Sequence, residues 1–352
     1  MTEKTAKPQG DEFFLVSPSP HIHDAGASVR QIMLDVIVAL VPALVASVCF
    51  FGMWALVLEA VAVATCVLCE YLARKAMGRP NATGDFSAVV TGLLLAFNLP
   101  PDLPVWMAVL GGVFAIVVAK QLFGGLGYNP FNPALAARAF LLVSFTGAMT
   151  TWTASGWMGA DAVTTATPLA ANAADAVTGA TPLGVVKAAL RTGSAFPFEM
   201  DGAMTWRFFL GDINGCLGET SSLALLIGGI YLLLRRVITW HVPASFLGTV
   251  VLYAVALRFV SPETAAPVKF HLLAGGLFLG AFFMATDMVT TPSTRKGKVV
   301  FGIGCGILTM VIRTVASGDY PEGVSFAILV MNAFVPLINR ATRAKPFGEA
   351  HA

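Results

Sequence analysis

Charge is what this sequence has least of. Only 12% of its 352 residues are Asp, Glu, Lys or Arg, against about 25% in an average soluble domain. That deficit excludes an ordinary soluble enzyme. The net charge of +2 is too small for a surface that binds nucleic acid, so no nucleic-acid partner is expected. Cysteine is scarce too, at five residues. Four of them (Cys49, Cys66, Cys69, Cys305) lie in apolar runs, where they act as small hydrophobes. Cys66 and Cys69 form a C-x-x-C with no second pair, which reads as helix packing, and no cysteine set suits an iron–sulfur cluster. His21, His23, His241 and His271 lack ligand spacing, so no metal site is expected.

Apolar residues are what the sequence has in excess. They make up 56% of the chain, and the mean hydropathy is +0.76. Such a composition excludes disorder. A membrane-spanning helix takes about 20 residues, so the apolar content would fill roughly ten spans. Ten apolar stretches stand between turn residues: 33–51, 54–72, 87–99, 105–123, 134–148, 223–234, 242–260, 272–286, 299–313 and 324–338. The third runs into Asn98-Leu99-Pro100-Pro101 and the eighth into Thr290-Thr291-Pro292. Proline removes a backbone donor, so these two read as broken or re-entrant helices. The polar N-terminal segment is longer than a cleaved signal peptide has before its apolar core, so the first span is expected to be retained.

Lys and Arg orient the spans. With both termini in the cytoplasm, sixteen of the 22 basic residues fall on the inside and six on the outside, a strong positive-inside bias. The one long loop, 149–220, then faces the outer side. The expected organisation is a cytoplasmic segment 1–30, five helices over 31–148, the outer loop 149–220, five helices over 221–340, and a cytoplasmic tail 341–352. The halves echo each other about 190 residues apart. Tyr128-Asn129-Pro130 precedes the fifth span and Tyr320-Pro321 the tenth, and a break at proline closes the third and the eighth. Five spans per half is odd, so the copies would be inverted. The fold class expected is an all-α polytopic membrane protein of about ten helices in two inverted five-helix repeats with broken helices. Such repeats point to a ligand or ion site at their interface.

The outer loop holds Asp175-Ala176-Val177-Thr178-Gly179-Ala180-Thr181-Pro182-Leu183. Gly179 gives the backbone freedom, and Pro182 opens a helix over 184–190. A Thr hydroxyl just before a helix N-terminus is well placed to hold a phosphate, because the unpaired N–H groups and the dipole there favour an anion. The residues leave the identity of that phosphate open. Fourteen residues earlier, 161–169 nearly repeats the stretch, with Thr165 in place of the glycine and Thr167 in place of Thr181.

At this point a family resemblance appears. Asp175–Leu183 is similar to the flavinylation motif D-x-x-[S/T]-G-A-T of the RnfD/NqrB family of membrane subunits. The resemblance extends over nearly the whole chain, through Val16-Ser17-Pro18-Ser19-Pro20-His21, Thr91–Ala96, Lys120–Gly127, Asn129-Pro130-Phe131-Asn132-Pro133, Ser261–Thr264, Gly280–Phe283 and Thr286-Asp287. The length is that of RnfD; NqrB usually has a longer N-terminal extension. The resemblance implies FMN joined by a phosphoester to Thr181, with Asp175, Thr178, Gly179 and Ala180 as the rest of the motif. It implies a translocase subunit, not catalytic alone, in a complex that couples electron flow between ferredoxin and NAD to Na⁺ or H⁺ movement. The partners implied are the other Rnf subunits, an outer-face (periplasmic) flavin transferase and the lipid bilayer of the bacterial inner membrane. Some family members carry a second, non-covalent flavin (riboflavin) near the cytoplasmic side; the hairpin at Gly124–Gly127 and the segment Thr290–Lys298 are the places to look for it. The rival reading is a secondary transporter or channel for a small solute, which would not need the Thr181 motif.

Ionisable residues within spans are the remaining candidates. Asp35 and Glu59 are read as an ion path, with Glu70 beside them; solvation near the interfaces is the competing account of these carboxylates. Asn98, Thr286 and Asp287, at the broken-helix ends, are read as lining a flavin or ion cavity. Gly276-x-x-x-Gly280 and the glycines at 302, 304 and 306 read as sites of close helix contact.

Overall fold

A computed structural model describes residues 28–152, 181–262, 264–314 and 322–343. Among the described residues every regular element is helical. In chain order these are α1 (Val29–Phe51), α2 (Met53–Ala76), α3 (Ser87–Phe97), α4 (Val105–Val113), α5 (Pro133–Ser144), α6 (Thr146–Met149), α7 (Pro182–Thr192), α8 (Gly202–Leu210), α9 (Ser222–Leu234), α10 (His241–Val260), α11 (Val268–Leu273), α12 (Leu277–Leu279), α13 (Arg295–Thr314) and α14 (Val324–Ala341). A π-helical stretch, Phe114–Gln121, prolongs α4, and another, Gly280–Met284, prolongs α12. All ten apolar stretches of the sequence are helical, and only the eighth departs much from its expected bounds. It is divided at Ala274-Gly275-Gly276 and ends by Met284, short of the Thr290–Pro292 stop.

Local chemistry sets the helix ends. Ser28 and Gln31 cap α1 reciprocally: the Ser28 hydroxyl accepts from the Gln31 N–H and the Gln31 side chain accepts from the Ser28 N–H. One residue, Gly52 at φ 76°, turns α1 into α2, a left-handed conformation that disfavours a side chain. Asn132 caps α5, with Pro133 in the first helical position.

Five helices (α1, α2, α10, α13, α14) are long and apolar enough to cross a membrane. The 23 residues of α1 span about 34 Å at about 1.5 Å each, enough for a hydrocarbon layer of about 30 Å. Their outward faces are apolar too: Leu34, Val38, Val41 and Val45 form an exposed stripe along α1. A helix that is apolar on both its packed and its unpacked faces belongs in lipid. The chain is a multi-pass membrane protein.

Inside, α1 lies against α9, α2 against α3 and α4, α10 against α11 and α13, and α14 against α5 and α13. Small residues bring the axes close. A Cβ on Gly306 would stand 2.6 Å from Thr249 Cβ and 3.1 Å from the Phe246 carbonyl of α10. Gly302 faces the same helix at Ser245, Gly304 meets Met331 of α14, and Gly280 meets Val324. Gly306→Ala is therefore expected to lower the thermal midpoint of the purified protein, at a cost of about 1–3 kcal/mol from overpacking. Gly248→Ala is the control, since nothing lies within 4 Å of its Cβ; equal midpoints for the two variants would refute the close contact.

The two helix breaks expose backbone groups that must be satisfied within protein, and each is. After α3, the carbonyls of Phe97 and Leu99 accept from the N–H groups of Gly218 and Leu217, at 3.1 Å each. Gly218 has to be glycine here, because a Cβ would overlap the Phe97 side chain. After α11, the carbonyls of His271 and Ala274 accept from the Arg313 guanidinium at 2.6 and 2.9 Å.

Candidate functional site

Thr181 is the N-cap of α7. Its backbone is extended, its hydroxyl oxygen accepts from the Gly184 N–H at 3.1 Å, and Pro182 takes the first helical position. The helix expected over 184–190 thus runs over Pro182–Thr192. Its apolar face is buried: Leu183 and Val186 enter a small core with Phe198, Met200, Phe208, Ile213, Phe270 and Leu273, and Val185 and Leu190 pack on its edge. Phe198 stacks on Phe270 with ring centres 5.9 Å apart. The Lys187 ammonium donates to the Ile312 carbonyl at 3.1 Å. Leu183 presses on Gly275, where a Cβ would come within 2.7 Å. These contacts seat the N-terminus of α7 on the membrane helices at the second break.

Thr181 is half-buried and lines a cavity with Arg138, Glu219 and Glu322 on one side and Leu142, Met149, Trp152, Leu183 and Phe326 as apolar wall. Arg138, from the middle of α5, is 4% exposed. Its Nη1, with two protons to donate, lies within hydrogen-bond distance of Asn98 Oδ1 (2.9 Å), Glu219 Oε1 (3.0 Å), Glu322 Oε1 (2.9 Å) and Ser325 Oγ (2.5 Å). Nη2 donates to Glu322 Oε2 and to Cys216 Sγ, the latter at 3.6 Å. One guanidinium thus joins α3, α5, the segment before α9 and α14. Cys216, Glu219 and Glu322 are spaced as a cation site would be, and the cation among them is Arg138. Burial pushes the Glu219 carboxyl above its ordinary value, opposed by the Arg138 charge beside it. Burial likewise pushes the Cys216 thiol well up.

A second cavity is lined by Ser87, Thr91, Lys120, Leu126, Asn129, Asn132, Thr286 and Asp287. Lys120, 1% exposed, pairs with Glu70 at 2.9 Å and donates to Ser87 Oγ at 2.7 Å. Gln121 donates to the same Glu70 oxygen at 2.8 Å. The hairpin with Gly124, Gly125 and Gly127, all at positive φ, closes one end. Thr286 also borders a neighbouring cavity with Thr291, Pro292, Ser293 and Lys298. Thr286 donates to the Phe282 carbonyl, and the Asp287 carboxylate accepts from Thr290.

The three residues expected together at the broken ends therefore divide. Thr286 and Asp287 share the second cavity, while Asn98 belongs to the Arg138 cluster beside the first. Asp35 accepts from Tyr231 of α9 (2.9 Å) and from Arg235 just past its end (3.2 Å). Glu59 and Glu70 are buried at 1% and 0%; solvation at an interface, the competing account of these carboxylates, does not hold for them. Asp175, Thr178, Gly179 and Ala180, the near-repeat 161–169, and Tyr320-Pro321 lie outside the described residues. Sequence reasoning missed Arg138, Glu219, Glu322 and Cys216 as a group. Arg138 and Lys120 entered the charge count as inside residues, yet both are buried within the bundle. The usable signal was an arginine alone in the apolar stretch 134–148, since a charge within a span needs a partner.

A helical membrane bundle with a buried ionic hub beside a capped helix terminus defines a class of membrane protein built around an interior polar site. The chain belongs to the NQR2, RnfD, RnfE family, whose sequence profile matches residues 15–348. It is 46% identical over 333 residues to the RnfD subunit of the Na(+)-translocating ferredoxin:NAD(+) oxidoreductase complex of Acetobacterium woodii, covering 95% of each chain. It is 43% identical over 335 residues to the corresponding subunit of the proton-translocating ferredoxin:NAD(+) oxidoreductase complex of Clostridium ljungdahlii, covering 95% of this chain and 96% of that one. To the same subunit of the ion-translocating oxidoreductase complex of Escherichia coli it is 39% identical over 349 residues, covering 95% and 98%.

Proposed function

We propose that this chain is the flavin-carrying RnfD subunit of an Rnf-type ion-translocating ferredoxin:NAD(+) oxidoreductase complex, with FMN joined to Thr181. The observation that carries the flavin assignment is the position of the Thr181 hydroxyl, at the N-terminus of α7 and on the wall of a cavity that also holds Arg138. The donor set fits the group. Thr181 would hold the FMN phosphate through its side-chain oxygen, and the positive end of α7 would favour the anion there. Leu142, Met149, Trp152 and Phe326 offer an apolar wall for a ring and keep water from it. Arg138 supplies positive charge there, moderated by two carboxylates. FMN, when bound, supplies the electron transfer; the protein's part is position, dielectric and nearby charge.

The same reading covers the rest of the chain. Ten spans form two inverted repeats, 31–148 and 221–340, around the outer loop 149–220, with both termini in the cytoplasm. Packing supports it: α1 lies on α9 and α5 on α14, which are the matching helices of the two halves, and α2 and α10 each pack on the third and fourth spans of their own half. The second cavity, near the hairpin and the Thr290–Lys298 segment, is the place for a non-covalent riboflavin. Asp35 and Glu59 form part of the ion path. An outer-face flavin transferase and the other complex subunits are the partners.

Intact mass measurement of the chain purified from cells that make the flavin transferase tests the assignment. The mass is expected to exceed that of the sequence by one phosphoester-linked FMN, and the addition is expected to map to the peptide containing Thr181. A chain of unmodified mass from such cells sinks the reading.

A further inference from the structure

Glu59 stands apart from every other buried acid in the structure. Its side chain is enclosed between α2 and α1, and its one hydrogen-bond partner among the described residues is Ser47, with Oε1 and Oγ 2.5 Å apart. The other oxygen, Oε2, is buried without a donor among the described residues. The charged residues on the elements packed against α2 are remote or already engaged. Asp35 lies twelve residues before Ser47 on α1, about 18 Å along the axis, and Arg30 is farther still. On α2 itself, Glu70 is eleven residues beyond Glu59, about 16 Å away, and Lys120 of the π stretch is paired with it. Asp85, in the turn before α3, holds Ser87. Helices α3 and α4 carry no charged residue.

The protons can be counted. The Ser47 hydroxyl lies 2.8 Å from the Leu44 carbonyl of its own helix as well as 2.5 Å from Glu59. A hydroxyl has only one proton, which Ser47 alone would have to share between the two contacts; a proton on Glu59 gives each contact its own. The chain of donors then runs Glu59 O–H to Ser47 Oγ, and Ser47 O–H to Leu44 O, and leaves Oε2 as an acid carbonyl without a donor. Burial dictates the same result, because an isolated carboxylate in an apolar interior neutralises rather than stays charged.

We propose that Glu59 is held as the neutral acid and is a proton-binding site of the α1–α2 pair, and that it is not a sodium ligand. A protonated carboxyl group carries no charge to hold a sodium ion, and among the described residues its hydrogen-bond partner is the Ser47 hydroxyl alone. The inference deepens the ion-path reading above and rests on it for its role in transport; the protonation state is measured separately, so either can fail alone.

The experiment is infrared spectroscopy of the full chain, in its complex, in lipid nanodiscs. The difference between wild type and Glu59→Gln at neutral pH is expected to contain the C=O stretch of a protonated carboxyl group. That band is expected to shift down in D₂O and to be the same in NaCl and KCl. Ser47→Ala is expected to keep the band and move it to higher wavenumber, since the acid proton loses its acceptor. A carboxylate stretch in place of the acid band overturns the proposal, as does an acid band that disappears in NaCl. Should Glu59→Gln fail to assemble, Ser47→Ala decides: no displacement of any acid band overturns it. Unchanged ion pumping by Glu59→Gln with the acid band confirmed removes Glu59 from the transport path and leaves its protonation state standing.

Discussion

Thr181→Val, made in cells that also make the flavin transferase, is expected to lose all flavin fluorescence under ultraviolet light on a denaturing gel. Valine has the shape of threonine, so packing around Pro182 and Leu183 is kept. What goes is the oxygen, both as the attachment point and as the acceptor for the Gly184 N–H. Loss of that cap costs about 0.5–2 kcal/mol, too little to unfold a bundle held by its membrane helices. Thr181→Ser keeps the hydroxyl and is expected to keep fluorescence. Thr167→Val tests the near-repeat and is expected to remain fluorescent. A dark wild type refutes the assignment. Fluorescence that survives Thr181→Val and disappears in Thr167→Val moves the attachment to the first copy.

The second large effect is expected at Arg138. Arg138→Met keeps the unbranched stem of the side chain and removes the guanidinium charge that Glu219 and Glu322 share. The buried Glu219 and the partly buried Glu322 carboxylates then face each other without the Arg138 charge between them. Removing one partner of a buried ion pair costs about 3–5 kcal/mol, a large part of a total stability of about 5–15 kcal/mol. The thermal midpoint in detergent is expected to fall sharply. Adding Glu322→Gln removes one stranded charge and is expected to restore part of the loss, a non-additivity that groups in one network show. A single variant as stable as wild type would show that the cluster balances its charge without Arg138.

The membrane elements were legible because their signal is long and repetitive. Each apolar stretch became a helix, and Pro100-Pro101 marked a real break. The eighth stretch was misjudged because its break comes from Gly275, at φ 71°, rather than from Pro292. A glycine within an apolar run gives little warning of a left-handed turn. Helix α7 was legible from Pro182 and from Val185, Val186 and Leu190 on one face, though the structure buries Leu183 and Val186 most deeply and leaves Val185 and Leu190 at the edge. The Arg138 cluster was not, because its members lie far apart in the chain, at 98, 138, 216, 219, 322 and 325. No local pattern joins positions brought together by the packing of α3, α5 and α14. Glu59 was found as a charge in a span, but its meaning lies in Ser47 across the helix interface.

The ionic hub also sets a timetable for making the protein. Arg138 leaves the ribosome long before Glu219 and longer still before Glu322 and Ser325. Until the final helix inserts, the guanidinium has Asn98, Cys216 and Glu219 but lacks Glu322 and Ser325. The last helix therefore completes the packing around α5, and a chain that stops before Glu322 and α14 leaves the hub with one of its two carboxylates.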